Sequence, residues 1–232
     1  METILEGIKE AFLLLIHGDR QVVQVAVLSL LVSGLATILS LLVGIPLGVV
    51  LALNRFPGRQ PLVSLINTGM GSPPVVVGLI VSIFLWRSGP LGLLQLMYTP
   101  SAMVIAQFII AFPLVAGFTL ATVQQLDPKL RLQIISLGAS RFQMVWLLLK
   151  EARLPLLAAI MAGFGAVISE VGASMMVGGN ITGQTRVMTT AIVAEVSRGD
   201  FALAIAFSVV LMILVYLVNL ILTIIQQRTK AR

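Results

Sequence analysis

The chain has 232 residues, 58% of them hydrophobic and only 10% charged, with 15 Lys and Arg against nine Asp and Glu, one histidine and no cysteine. A soluble domain carries roughly 25% charged residues, so the main solvent of this chain is lipid. The missing cysteines exclude a disulfide scaffold, and one histidine with nine acids leaves little for a Cys/His nucleophile pair or a metal cluster, so neither a metal site nor a catalytic residue is expected.

In residues 1–20, Ile4, Leu5, Ile8, Ala11, Phe12 and Leu15 share one helical face, the pattern of a helix lying in the outer membrane interface. Glu2, Glu6 and Glu10 stand where a secretory signal would be basic, which argues against a signal peptide. His17 has no ligand partner and reads as a surface residue near Asp19. A membrane-crossing helix needs about 20 mostly apolar residues. Five stretches qualify: Val22–Leu53, Pro61–Trp86, Ser101–Val123, Pro155–Val177 and Phe201–Ile225. They define a membrane domain over residues 21–226, followed by a basic tail at 227–232.

The first stretch is longer than one crossing requires, so it tilts or projects beyond the bilayer. Gly44, Pro46 and Gly48 within it read as residues that let helices approach closely. The second is interrupted by Gly69, Gly71, Pro73 and Pro74. Prolines remove backbone donors that lipid cannot replace, so this span is expected to break where protein or a water-filled path surrounds it. Ser72, Pro73 and Pro74 are therefore candidate path residues.

Five spans place the termini on opposite sides, and the Lys/Arg distribution orients them. With the C-terminus in the cytoplasm, that side holds Arg55, Arg59, Lys129, Arg131, Arg141, Lys150, Arg153, Arg228, Lys230 and Arg232. The other side holds Lys9, Arg20, Arg87, Arg186 and Arg198. Ten basic residues against five set the N-terminus outside and the C-terminus inside. Subtracting the acids leaves +8 inside and −1 outside, and intramembrane Glu170 completes the net +6. The positive excess is an orientation signal, and no nucleic-acid partner is expected.

The segment 124–154, on the cytoplasmic side, carries the densest local signals. Asp127-Pro128 reads as an N-cap followed by proline at the first helical position. Leu130, Ile134 and Leu137 then share a face, and Gly138 is a natural stop. Ser140-Arg141-Phe142-Gln143 has the spacing of a capping box, opening a second short helix through Met144, Trp146 and Leu149. The two helices joined at Gly138-Ala139-Ser140 form either a self-packed loop or a docking element for a cytoplasmic partner. Arg131 and Arg141 flank that face.

Glu170 lies inside the fourth stretch, and an intramembrane carboxylate is a functional hypothesis by default. Its sign is wrong for an anion ligand. The readings left open are pairing with Arg186, pairing with backbone donors of the Gly178-Gly179 turn, or staying protonated as a hydrogen-bond donor, with a structural role favoured. The outer segment Gly178–Asp200 has Asn180, four threonines including Thr185, and Arg186 as its central charge. Hydroxyls and backbone N–H groups bind an oxyanion without trapping it, so this segment is expected to form an outer gate or receptor contact; the alternative is a plain re-entrant or interfacial helix over Arg186–Arg198.

The Gly138-Ala139-Ser140 turn, its preceding helix and the return into the membrane at Leu154-Pro155 resemble the coupling loop of binding-protein-dependent ATP-binding-cassette importer permeases. Two departures stand out. The family's acidic-Ala-Ala triplet is replaced by Leu132-Gln133-Ile134, and the stretch from Gly138 to Pro155 is about four residues, one helical turn, longer. The run Ile168-Ser169-Glu170-Val171-Gly172-Ala173-Ser174-Met175-Met176-Val177-Gly178-Gly179-Asn180-Ile181, with Arg198-Gly199-Asp200-Phe201, resembles permeases for tungstate and, less closely, molybdate and sulfate; Ser72–Leu79 matches the broken span of the same group.

The resemblance implies an all-α membrane protein of about five transmembrane helices with a cytoplasmic coupling-helix insert, the type I importer permease (MetI-like) fold, in a prokaryotic cell (inner) membrane. It implies partners as well: a second copy of the chain, two ATPase subunits and an extracytoplasmic oxyanion-binding protein. The chain has no Gly-x4-Gly-Lys-Ser/Thr phosphate loop, so ATP and Mg belong to the partner subunit and this chain holds no cofactor. Coupling residues are then expected at Arg131, Ile134, Leu137, Gly138, Ala139, Ser140, Arg141 and Phe142. Path or gate residues are expected at Ser72, Pro73, Pro74, Glu170, Gly178, Gly179, Asn180, Thr185 and Arg186. The competing expectations are a permease for sulfate, phosphate or another small solute, and an ATP-independent channel or ion-coupled carrier.

Overall fold

The computed structural model describes residues 7–9, 13, 17 and 19–230. Most of the expected interfacial helix lies outside the described residues; within it Gly7 is buried against Ile205. From Arg228 on, the side chains of the basic tail also lie outside the described residues.

From Asp19 onward ten α-helices follow one another among the described residues: α1 Arg20–Leu53, α2 Arg59–Met70, α3 Pro74–Leu85, α4 Pro100–Gln125, α5 Pro128–Ser136, α6 Arg141–Glu151, α7 Arg153–Ile168, α8 Gly172–Gly178, α9 Met188–Arg198 and α10 Phe201–Lys230. Helices α1, α4 and α10 are each long and apolar enough to cross a membrane, and two bent helix pairs raise the count to five at most. Helix α1 is capped by Asp19, whose carboxylate accepts from the Gln21 and Val22 N–H groups at 2.9 and 3.0 Å. Its 34 residues rise about 51 Å, well beyond a hydrocarbon core of about 30 Å.

Helix α4 is the centre of the fold: 61% of its most apolar stretch is buried, against 22% for α10. Helix α1 lies along α4 because Gly44 and Gly48 offer no side chain there. A Cβ on Gly48 would sit 2.7 Å from the Ala116 carbonyl oxygen, and one on Gly44 2.9 Å from Val115. Lipid offers no hydrophobic drive between apolar helices, so backbone proximity supplies the packing energy instead.

The second span breaks where the prolines predict. Helices α2 and α3 meet at 107° across Gly71-Ser72-Pro73, so the chain turns instead of passing straight on. The break lies beside the middle of α4: a Cβ on Gly69 would meet Pro113 at 2.7 Å, and Gly117 packs on Met70. The fourth span departs from expectation. An uninterrupted helix over Pro155–Val177 is not observed; α7 ends at Ile168 after 16 residues, about 24 Å, and α8 starts only at Gly172. The Ser169-Glu170-Val171 link breaks it.

The two breaks meet. A Cβ on Gly172 would lie 2.6 Å from Val75, and one on Gly78 2.6 Å from the Ala173 Cα. Around this contact Val77, Val81 and Leu85 of α3, Met103, Ala106 and Ile110 of α4, and Ala173 and Val177 of α8 form the largest buried cluster.

The insert folds as its caps dictate. Asp127 accepts from the Lys129 N–H at 2.9 Å, and α5 follows. Ser140 and Gln143 close a reciprocal capping box, the Ser140 N–H donating to the Gln143 side-chain oxygen at 2.8 Å and the Gln143 N–H to the Ser140 hydroxyl at 3.3 Å. Gly138 holds φ at +78°, the left-handed turn that reverses the chain between α5 and α6. Helix α6 then bends by 73° into α7.

Candidate functional site

Two polar regions lie at opposite ends of the bundle. At the insert end, Ile134 of α5 is 6% exposed and packs with Met144 and Leu148 of α6, backed by Leu53 at the end of α1 and Leu126 at the end of α4. The expected face of Leu130, Ile134 and Leu137 is therefore divided. Ile134 roots the insert on the bundle and is not available to a partner, whereas α5 ends at Ser136 and Leu137, the next residue, stands exposed in the turn. Leu137 is 86% and Phe142 81% exposed, on either side of Gly138, with Leu132, Ile135 and Trp146 also exposed. Gly138, Ser140, Arg131 and Arg141 are exposed and Ala139 is half-buried in the same knuckle. Arg131 also reaches back, donating to the Leu53 carbonyl at 3.4 Å.

The other end is built around the second break. Glu170 is buried and its carboxylate accepts from the Ala173 N–H at 2.8 Å, which caps α8. Its backbone carbonyl accepts from the Thr189 hydroxyl at 2.9 Å, tying the break to α9. Neither expected partner, Arg186 or the Gly178-Gly179 turn, is the one it takes; the Ala173 N–H, three residues ahead, is. Gly179, Asn180 and Gly183 take positive φ, folding residues 178–185 into a closed loop that Thr185 locks. The Thr185 hydroxyl donates to the Gly178 carbonyl and accepts from the Ile181 N–H at 3.0 Å.

Arg186 is turned inward. Its guanidinium lies 3.6 Å from the Glu195 carboxylate, with side chains only 6% and 4% exposed, and Arg198 donates to both Glu195 oxygens at 2.9 and 3.1 Å from the surface. Within this expected gate segment the Thr185 hydroxyl is used inside the loop, and the Arg186 charge is paired with a carboxylate that the charge count had placed on the outer side. Residues 188–198 form a packed helix, held at its start by Ser29 of α1, whose hydroxyl accepts from the Met188 N–H at 2.8 Å. Of the other path candidates, Gly178 is buried, Ser72, Pro74 and Asn180 are half-buried, and Pro73 and Gly179 are exposed.

Three residues of this region make contacts that the sequence reading did not assign. Glu195 sits with Met188, Ala191 and Ile192 at helical spacing, and an acid on the apolar stripe of an amphipathic helix was the available signal. Gln107, 2% exposed in the middle of α4, donates to the Ser174 hydroxyl at 3.2 Å; a carboxamide inside a span marks an interhelical bond. Ser29 gave no signal, since its partner is 159 residues away.

At this end a cleft of about 660 Å³ beside α1 is lined by Arg20, Gln21, Gln24, Thr182, Gln184 and Arg186, while several nearby groups are already committed. Helix α8 already has a carboxylate at its N-terminus, α3 begins with two prolines that lack N–H donors, and Arg186 is paired. A helical bundle with two breaks in contact and a rooted, apolar-tipped insert is the build of a multi-pass membrane transport component. Residues 44–231 match the family described as binding-protein-dependent transport system inner membrane component. The chain is 39% identical over 227 residues to the tungstate uptake system permease protein TupB of Peptoclostridium acidaminophilum, covering 98% of this chain and 100% of that one. It is 39% identical over 215 residues to a probable anion ABC transporter permease protein of Haloferax volcanii, covering 90% and 93%. Its fold is similar to a chain of the MetNI methionine ABC transporter in an inward-facing conformation, with a TM-score of 0.72 at 19% identity over 90% of this chain and 94% of that one. The chain belongs to the binding-protein-dependent inner-membrane permease family.

Proposed function

We propose that this chain is the translocating subunit of an ATP-driven importer for a tetrahedral oxyanion, with tungstate as the cargo, working by alternating access. The observation that carries the reading is the insert: an exposed apolar knuckle at Leu137 and Phe142, rooted through Ile134 on the ends of α1 and α4. A surface of that kind fits a groove on a partner, and its rigid root passes the partner's movement into the bundle. Two separate ATP-binding subunits would dock there, holding the ATP and Mg that this chain has no motif to bind. The insert side is then the cytoplasm, with the N-terminus outside, in keeping with the Lys/Arg asymmetry.

A second copy of the chain completes the pathway. The α2–α3 elbow presents Leu65, Val75, Val76, Leu79, Ile80 and Ile83 outward, and twofold pairing would place two such elbows about one axis. An extracytoplasmic oxyanion-binding protein would deliver cargo at the 178–187 loop. The paired state of Arg186 and the carboxylate cap on α8 favour weak binding along the route, which lets cargo leave as readily as it enters. Selectivity then rests with the receptor, and the cargo assignment rests on the similarity to the tungstate permease.

The test is reconstitution of the chain with its ATPase and receptor in vesicles, comparing uptake of tungstate, molybdate, sulfate and phosphate. Tungstate-selective, ATP-dependent uptake is expected, together with loss of ATPase co-purification in the Leu137→Asp/Phe142→Asp variant. ATP-independent uptake by the chain alone would place it in the channel or carrier class.

A further inference from the structure

A polar cleft of about 480 Å³ opens at the insert end between the end of α1, the start of α2, the end of α4 and α5. Three arginines line it: Arg55 and Arg59 from the α1–α2 corner, and Arg131 from α5, more than 70 positions later in the chain. The acid among its lining residues, Asp127, has its carboxylate engaged in capping α5. Positive charge is expected on this side of the bundle, but orientation signals work by number and do not require three guanidiniums from separate elements to converge on one cleft.

Two of the three are held in place by backbone carbonyls. The Arg59 Nε–H donates to the Leu51 carbonyl at 2.7 Å, which fixes the guanidinium plane and leaves its terminal nitrogens free to face the cleft. Arg131 uses one Nη on the Leu53 carbonyl. Arg55 has no hydrogen-bond or ion-pair partner among the described residues. Guanidiniums fixed in this way lose little freedom on binding and match the oxygens of a phosphate in a forked geometry. Phe56, Leu62 and Leu65 are exposed next to Arg55 and Arg59, so an apolar surface adjoins the basic one.

We infer that this cleft is a binding site for a phosphate-class tetrahedral oxyanion, supplied either by the headgroup of an anionic phospholipid or by a free dissolved anion. Bound there, the ligand joins Arg131 on the insert to Arg55 and Arg59 on the α1–α2 corner, and so restrains the insert against the bundle. The site is read by binding alone, so it stands or falls independently of the importer assignment above.

The experiment uses the full chain in phosphatidylcholine nanodiscs, with phosphatidylglycerol titrated in one arm and free inorganic phosphate or tungstate in the other. Readouts are thermal unfolding and retained lipid by native mass spectrometry. Wild type is expected to be stabilised in at least one arm: the lipid arm alone assigns a headgroup, the dissolved arm alone a free anion. Arg55→Gln removes a side chain with no partner in the fold, and is expected to weaken binding about fivefold, the effect of one arginine at an anionic surface. Arg59→Gln and Arg131→Gln should weaken it at least as much, and Arg59→Lys should not restore it fully. Lys150→Gln, a charge on the same side outside the cleft, should leave binding unchanged. Stabilisation of wild type in neither arm, or equal weakening by Lys150→Gln and Arg55→Gln, overturns the proposal.

Discussion

The Arg186–Glu195–Arg198 group offers the most discriminating test, because one carboxylate serves a buried and an exposed arginine. At 3.6 Å and an effective dielectric constant of about 20, the Arg186–Glu195 attraction is about 5 kcal/mol before desolvation is subtracted. Glu195→Ala leaves Arg186 buried without a counter-charge, with its Nε–H already unpartnered, and is expected to cost about 3–5 kcal/mol. Arg186→Ala costs less, because Glu195 keeps both bonds to Arg198. Arg198 is 60% exposed, so Arg198→Ala should cost about 0–1 kcal/mol. For a chain of this length these correspond to losses in Tm of about 6–20 °C and about 0–4 °C at the two extremes. The assay is thermal unfolding in nanodiscs followed by fluorescence of Trp86 and Trp146. The double variant Arg186→Met/Glu195→Leu, which buries no charge, should recover much of the loss. Equal destabilisation by Arg198→Ala and Glu195→Ala, or a double variant costing the sum of the two single losses, would refute the assignment of the buried pair.

Gly48→Ala drives a Cβ to within 2.7 Å of the Ala116 carbonyl and should separate α1 from α4 at about 1–3 kcal/mol, whereas Gly34→Ala, with nothing within 4 Å of the new Cβ, should be neutral or stabilising; the same unfolding assay checks both. Glu170→Gln retains an oxygen to accept from the Ala173 N–H and should support transport with a small loss of stability, while Glu170→Ala loses the cap at about 1 kcal/mol. Abolished transport in a folded Glu170→Gln variant that still binds its ATPase would overturn the structural role of this carboxylate.

What the sequence determined by itself is local. The break before Pro74, the Asp127 cap, the Ser140–Gln143 box and the Gly138 reversal each depend on a few consecutive residues, and each stands in the structure as read. Facing was not legible, because a helix in lipid is apolar all round and its periodicity does not separate the protein side from the lipid side. Only tertiary packing decided that Ile134 points in while Leu137 points out, that Gly44 and Gly48 meet α4, and that the fourth span breaks at Ser169–Val171, where Glu170 can cap α8 and hold α9. The same holds for Glu195 and Arg198. They sit one helical turn apart on α9, yet one is buried and the other exposed, and that difference comes from the neighbours the fold supplies: desolvation and pairing depend on distances in space, which spacing along the chain does not carry.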